Sequence, residues 1–208
     1  MEKMESSLRN MLLSLGAICL VCAALLSSVN AMTAKRIAMV QEQKTERAIA
    51  QVVPQFDGTP VDTTVILDGT EYLVHQAMAG DSIVGYAIES VTTGFGGPID
   101  LMVGFSSAGE IYSTAVISHS ETPGLGAKMT EDESHFRTQF LGKNPAEYNL
   151  SVSKDGGDVD AITASTITSR AFVQAVAKAY NVFLAVTGAT PDAVIAATPQ
   201  VGEGENDE

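Results

Sequence analysis

The sequence predicts an α+β fold: a single domain built on an antiparallel sheet with helices, following one N-terminal transmembrane helix. Three observations lead there. No charged residue stands between Arg9 and Lys35. A succession of strand-like runs from Thr63 to Ser118 is punctuated by turn residues, with no helical pattern between them. Finally, Arg170 to Thr187 carries Phe172, Val176, Tyr180 and Phe183 at helical spacing.

After a short N-terminal segment (1–10), Met11 to Val29 is almost wholly apolar or small, long enough as a helix to cross a hydrocarbon core of roughly 30 Å. The segment is placed at 11–33. A cleaved signal peptide is the competing reading, with Val29-Asn30-Ala31 as its processing site. A retained anchor is preferred because the uncharged stretch exceeds the ~7–15 residues of a signal's apolar region. Lys3 and Arg9 precede the segment and Lys35 and Arg36 follow it, so the positive-inside count chooses no side. Both cysteines, Cys19 and Cys22, lie inside it. None is left outside for a disulfide, a zinc site or an iron–sulfur cluster. Their spacing puts them on one helix face, where small packing residues are the plainer reading and a cofactor shared with another membrane subunit the sharper one.

Ala34 to Val53 mixes Ile37, Val40, Ile49 and Val52 with Gln41, Glu42, Lys44, Glu46 and Arg47, which predicts a helix ended by Pro54 and serving as a juxtamembrane stalk (34–54). The globular domain is placed at 55–188. Asp68-Gly69 after Thr63–Leu67 signals a hairpin, and Tyr72–Ala77, Ile83–Val91, Ile99–Phe105 and Ile111–Ser118 follow as strands. Thr130 to Phe140 opens with a threonine and the acids Glu131, Asp132 and Glu133, predicting a capped helix. Leu150–Val152 reads as a short strand before the polar turn at 154–158. The stripe of the last helix is core, and Gly188 is its stop. The acidic tail (189–208) is expected to be disordered.

Glu2 and Glu5 balance Lys3 and Arg9, so the net charge of −13 belongs to the chain beyond the apolar segment. Such a surface is repelled by anionic lipid and by nucleic acid, which argues against a DNA or RNA role. No Ser/His/Asp arrangement and no metal-ligand spacing supports an independent hydrolase.

The most informative stretch is Asp160-Ala161-Ile162-Thr163-Ala164-Ser165-Thr166-Ile167-Thr168-Ser169, where hydroxyls crowd in front of the last helical run. A helix N-terminus offers unpaired amides and a positive dipole end to a phosphate ester. A plain N-cap accounts for one hydroxyl, not for the whole cluster with an acid at its head. Asp160-x-x-Thr163-x-x-Thr166 resembles the flavinylation motif, Asp-x-x-Ser/Thr-Gly-Ala-Thr, of the FMN-binding domains in the Rnf and Na+-pumping NADH:quinone oxidoreductase complexes. Ala164 stands where glycine is usual and Ser165 where alanine is usual. Ser118-His119-Ser120-Glu121-Thr122-Pro123-Gly124-Leu125-Gly126 matches the Glu-Thr-Pro-Gly-Leu-Gly signature of the same domains. Gly94-Phe95-Gly96-Gly97-Pro98-Ile99 resembles their Gly-Tyr-Gly-Gly-Pro-Ile loop. Thr166 to Ala171 is more similar to the G subunit of Rnf than to the C subunit of the sodium pump.

The resemblance implies covalent FMN, joined by a phosphodiester to Thr166 through a dedicated flavin transferase. Asp160 would organise the hydroxyl or the metal of that step, or simply cap the turn. Thr163, Ser165, Ile167 and Thr168 would surround the ester, stabilised by the amides of Ile167, Thr168 and Ser169, with Thr168 as the competing acceptor. Glu121, Thr122, Gly124, Leu125 and Gly126 would form a loop against the flavin, since glycines permit close backbone approach and Leu125 offers an apolar face. Lys128 would balance an anion or remain a solvated charge, and His119 reads as a loop hydrogen-bond partner rather than a proton donor. No catalytic residue and no resident metal is expected.

The implied function is a membrane-anchored electron carrier, a relay rather than a catalyst on its own, among the membrane subunits of an Rnf-type ion-translocating ferredoxin:NAD+ oxidoreductase. The flavin domain would lie on the extracytoplasmic side of the cytoplasmic membrane. The alternatives are a C-type subunit of the quinone-reducing sodium pump, a free-standing extracytoplasmic flavoprotein, or a membrane-anchored binding module that is never flavinylated.

Overall fold

The structure, a computed structural model, describes residues 8–67, 69–131 and 134–189. Asp68 of the predicted hairpin turn, Asp132 and Glu133 of the predicted helix start, and the tail from residue 190 lie outside the described residues.

One uninterrupted helix, α1 (Leu8–Val52), includes both the apolar segment and the predicted stalk, and Pro54 follows its end. The chain separates into two compact units at Lys44 and Thr45. In the first, α1 is long and apolar enough to cross a membrane, and Cys19 and Cys22 are exposed on it.

In the second unit, β1 (Val61–Leu67), β2 (Thr70–Ala79), β3 (Ser82–Thr93), β4 (Pro98–Ser106) and β5 (Ile111–His119) form an antiparallel meander in the order β1-β2-β3-β4-β5. The predicted α+β class and the five strands predicted between Thr63 and Ser118 stand. Alternation along β4 shows how the sheet serves two cores. Ile99, Leu101, Val103 and Phe105 point to one face, where they meet α3 (Thr166–Thr187). Met102 points to the other, where it meets Ala48, Ile49 and Val52 from the last turns of α1. Gly104 permits that second contact, for a methyl group built on it would fall 1.5 Å from the carbonyl oxygen of Val52.

On the first face Phe172, Val176, Tyr180 and Phe183 of α3 are buried, confirming the stripe as core. The Phe105 and Phe183 rings lie 5.2 Å apart, and the Thr92 hydroxyl donates to the carbonyl of Ala171, tying β3 to α3. Gly188, left-handed at φ 75°, ends the helix.

Three local expectations need correction. The helix expected over Thr130–Phe140 is a 3-10 turn at Gly126–Thr130 followed by a four-residue helix, α2 (His135–Thr138). Thr130 does not start it, because its hydroxyl turns back to the carbonyl of Ala127, and Ser134 caps Arg137 instead. Leu150–Val152 is not a strand: Val152 makes only an isolated bridge to Val159, and the left-handed Gly156 turns the chain at once. The last helix starts at Thr166, a turn before Arg170, so Thr166, Thr168 and Ser169 lie inside its first turn rather than ahead of it.

Candidate functional site

Three chain segments meet over the N-terminus of α3. The first, the β3–β4 loop, is closed by a bond from the amide of Gly94 to the carbonyl of Gly97 at 2.8 Å, which leaves Phe95 exposed. In the second, beyond β5, the amides of Leu125 and Ala127 both donate to the carbonyl of Thr122. Pro123 and a left-handed Gly124 (φ 76°) occupy the middle of that turn, as a type II turn requires. The third is the lead-in to α3. Here the amide of Ser165 donates to the carbonyl of Ile162, and the buried Ser169 hydroxyl accepts from the amide of Ile162 while donating to the carbonyl of Ser165. This tight closure puts Ala164 at φ 61°, making it the sole non-glycine in the left-handed region among the described residues.

Glu121 joins all three segments. It is only 6% exposed, accepts the amide of Gly96 on Oε1 at 3.0 Å, and accepts the hydroxyl of Thr168 on Oε2 at 2.7 Å. Glycines surround it because nothing larger fits. A methyl group on Gly94 would fall 2.2 Å from Oε1, and one on Gly126 would fall 2.5 Å from Oε2. The amide of Glu121 itself donates to Nδ1 of His119, the loop-partner role expected of that histidine.

Above this junction opens a pocket of about 430 Å³ lined by Phe95, Glu121, Thr122, Leu125, Gly126 and residues 164–168. Its rim is apolar, with Phe95, Leu125 and Ile167 exposed to solvent. Its floor is the start of α3, where the amides of Thr166, Ile167 and Thr168 have no partner within the helix. The amide of Ser169, expected among the free donors, is instead taken by the carbonyl of Ser165 at 3.0 Å.

The predicted residues therefore divide. Ser165, Thr166, Ile167, Thr168, Glu121, Thr122, Leu125 and Gly126 come together at the pocket. Gly124 shapes the turn without lining it, and Thr163 and Lys128 are exposed and do not line it. Asp160 also stands apart. Its carboxylate accepts from the Ser153 hydroxyl at 2.9 Å and meets Nε2 of His135 at 3.3 Å, and these two partners hold its pKa below the usual carboxylate value. Nearby, Arg170 grips Asp155 through Nε and a terminal nitrogen, both at 2.7 Å, fixing the Ser153–Asp155 turn to α3. Phe95 and Ala164 line the pocket although neither is among the residues expected there. The signal for both was present, an aromatic residue in a glycine loop and an alanine at a position where the related motif has glycine.

The hydroxyls are not equivalent. Those of Thr168 (1% exposed) and Ser169 (0%) are buried and already donate to Glu121 and to Ser165, and Ser165 is itself buried. Thr166 is partly exposed, lines the pocket and stands at the first helical position. A phosphate carried there would face unpaired amides and the positive helix end, and an apolar ring extending from it would meet Phe95, Leu125 and Ile167. The residues present thus fit a phosphate-linked planar cofactor.

The FMN-binding domain family matches residues 94–181, a span that begins at the glycine loop and includes every pocket segment. The RnfG N-terminal region matches residues 1–52. The G subunit of the ion-translocating oxidoreductase complex of Shewanella baltica (strain OS223) is 34% identical, over 79% of this chain and 84% of its own. The G subunit of the same complex from Pseudomonas aeruginosa (strain UCBPP-PA14) is 34% identical, over 86% and 89%. Among solved structures, the C subunit of the Na(+)-translocating NADH-quinone reductase from Parabacteroides distasonis aligns with a TM-score of 0.44 at 21% identity, over 67% of this chain and 78% of that one.

Proposed function

Because the chain belongs to the G-subunit family of ion-translocating oxidoreductase complexes, we propose that it carries FMN through a phosphodiester to Thr166 and relays electrons between other subunits of an Rnf-type complex. The flavin binding rests on the FMN-binding domain at 94–181, and membrane attachment rests on α1 with its match to the family's N-terminal region. One observation carries the choice of Thr166: of the hydroxyls in the motif, it combines access to the pocket with a place at the free amides of α3. Bound FMN supplies one- and two-electron redox chemistry, and the chain supplies position and electrostatics. The first turn of α3 holds the phosphate, the Thr122–Leu125 turn and Phe95 cover the ring, and the Gly96–Glu121–Thr168 bonds keep these walls together.

Attachment calls for a flavin transferase, which takes FMN from FAD as the threonine oxygen bonds to the FMN phosphorus and AMP leaves. Asp160 is exposed and outside the pocket, which favours a role in meeting that enzyme over one against the finished flavin. The globular unit, which includes the end of α1 from Thr45 that packs on its sheet, would lie on the extracytoplasmic side, anchored by the 11–33 segment.

The test is flavin fluorescence in a denaturing gel after co-expression with the transferase. The wild-type band should fluoresce, Thr166→Ala should be dark while remaining folded, and Thr168→Ala should still fluoresce. A bright Thr166→Ala band beside a dark Thr168→Ala band would move the attachment to Thr168. A dark wild-type band would favour a binding module that is not flavinylated.

A further inference from the structure

The placement of Glu121 goes beyond holding loops together. We infer that the Glu121 carboxylate is a fixed negative charge in the wall of the flavin pocket that lowers the reduction potential of the bound flavin, with the Thr168 hydroxyl moderating its strength. The inference rests on the proposal that Thr166 carries FMN.

The geometry allows the carboxylate little freedom. It is 6% exposed, lines the pocket, and is pinned at both oxygens, by the Gly96 amide at 3.0 Å and the Thr168 hydroxyl at 2.7 Å. Neither donor is a cation. No described Lys or Arg lines the pocket: Lys128 and Arg170, each two residues from a lining residue, are exposed outside it, and Arg170 is taken up by Asp155. A buried carboxylate bonded only to neutral donors keeps most of its field, and the surrounding medium screens it less than water would. Adding electrons to a flavin beside that field costs more than adding them in a neutral pocket, so its potential falls. If loop closure were the whole requirement, a neutral amide at position 121 would serve nearly as well. The hydrogen bond from Thr168 withdraws part of the charge, so removing that hydroxyl should deepen the effect.

This gives two substitutions with opposite signs. Glu121→Gln keeps the shape and an acceptor oxygen but removes the charge. Thr168→Val keeps the charge and removes the hydroxyl. Full-length protein loaded with covalent flavin should be titrated spectroscopically against redox mediators, with the midpoint potential as the readout. Relative to wild type, Glu121→Gln should shift positive and Thr168→Val should shift negative. An unmoved potential in Glu121→Gln overturns the inference and leaves Glu121 as a structural tie. If Glu121→Gln does not load flavin, Thr168→Val decides, a negative shift supporting the inference and an unchanged potential overturning it. A wild-type chain without covalent flavin overturns the attachment reading and this inference together, whereas loaded chains with equal potentials overturn this inference alone.

Discussion

Ala164 sits at a backbone angle that favours glycine, φ 61°, in the turn leading into α3. An L-residue held there is strained by about 1–2 kcal/mol, partly offset because alanine restricts the unfolded chain more than glycine does. Ala164→Gly is therefore expected to stabilise the protein by up to about 1 kcal/mol, read as a higher urea midpoint. A lower midpoint would mean that the strain is relieved elsewhere. The Asp-x-x-Thr-x-x-Thr spacing made this turn legible from sequence. The division of labour among the hydroxyls was not. Ser169 looks like one more loop hydroxyl until its two bonds, to Ile162 and Ser165, show that it closes the turn. Thr168 reads as one more hydroxyl of the cluster until Glu121, 47 residues away, is found holding it.

Among the elements, the contact of α1 with β4 is the least forgiving. Val52 lies so close over Gly104 that any side chain there meets helix backbone rather than a movable side-chain tip. Gly104→Ala should cost at least about 2 kcal/mol through displacement of the α1 end, the upper range of overpacking penalties. Limited proteolysis should then cut within 45–53 faster than in the wild type, and an unchanged rate would show that the helix end contributes little to holding that face. The strands were legible because β-rich runs punctuated by turn residues, as at Asp68-Gly69, are local signals. The second helical region was not. Acids after Thr130 imitate a capped helix start, whereas Ser134 and the Thr130–Ala127 bond divide the segment. Leu150–Val152 has strand composition but no strand beside it to pair with beyond a single bridge.

For the molecule as a whole, the acidic balance matters most where a carboxyl is covered. Asp100, on the β4 face that also carries Met102, is pushed up to about 7, first by burial and then by the neighbouring Glu89. Its folded value lies above its ordinary value of 3.8, so the native state holds a proton that the unfolded chain has released. Stability from this group is full below the unfolded pKa and declines as pH rises toward about 7. Asp100→Asn should accordingly be more stable than wild type at about pH 8, by on the order of 1 kcal/mol, with a smaller gain near pH 5. Equal pH profiles from denaturant melts of the two proteins would refute this.

The five strands pair strictly with their sequence neighbours, while the face they present to α3 and the floor of the pocket are both completed by that one late helix. The sheet's hairpins need only local closure, and the helix leaves the ribosome after them. A chain interrupted before Thr166 lacks the proposed attachment residue and leaves Ile88, Val103 and Phe105 facing water. If Thr166 carries the flavin as proposed, a yellow chain has been translated at least to the start of α3, so the colour would double as a receipt for synthesis past the whole sheet, but not for the remainder of the helix that closes the core.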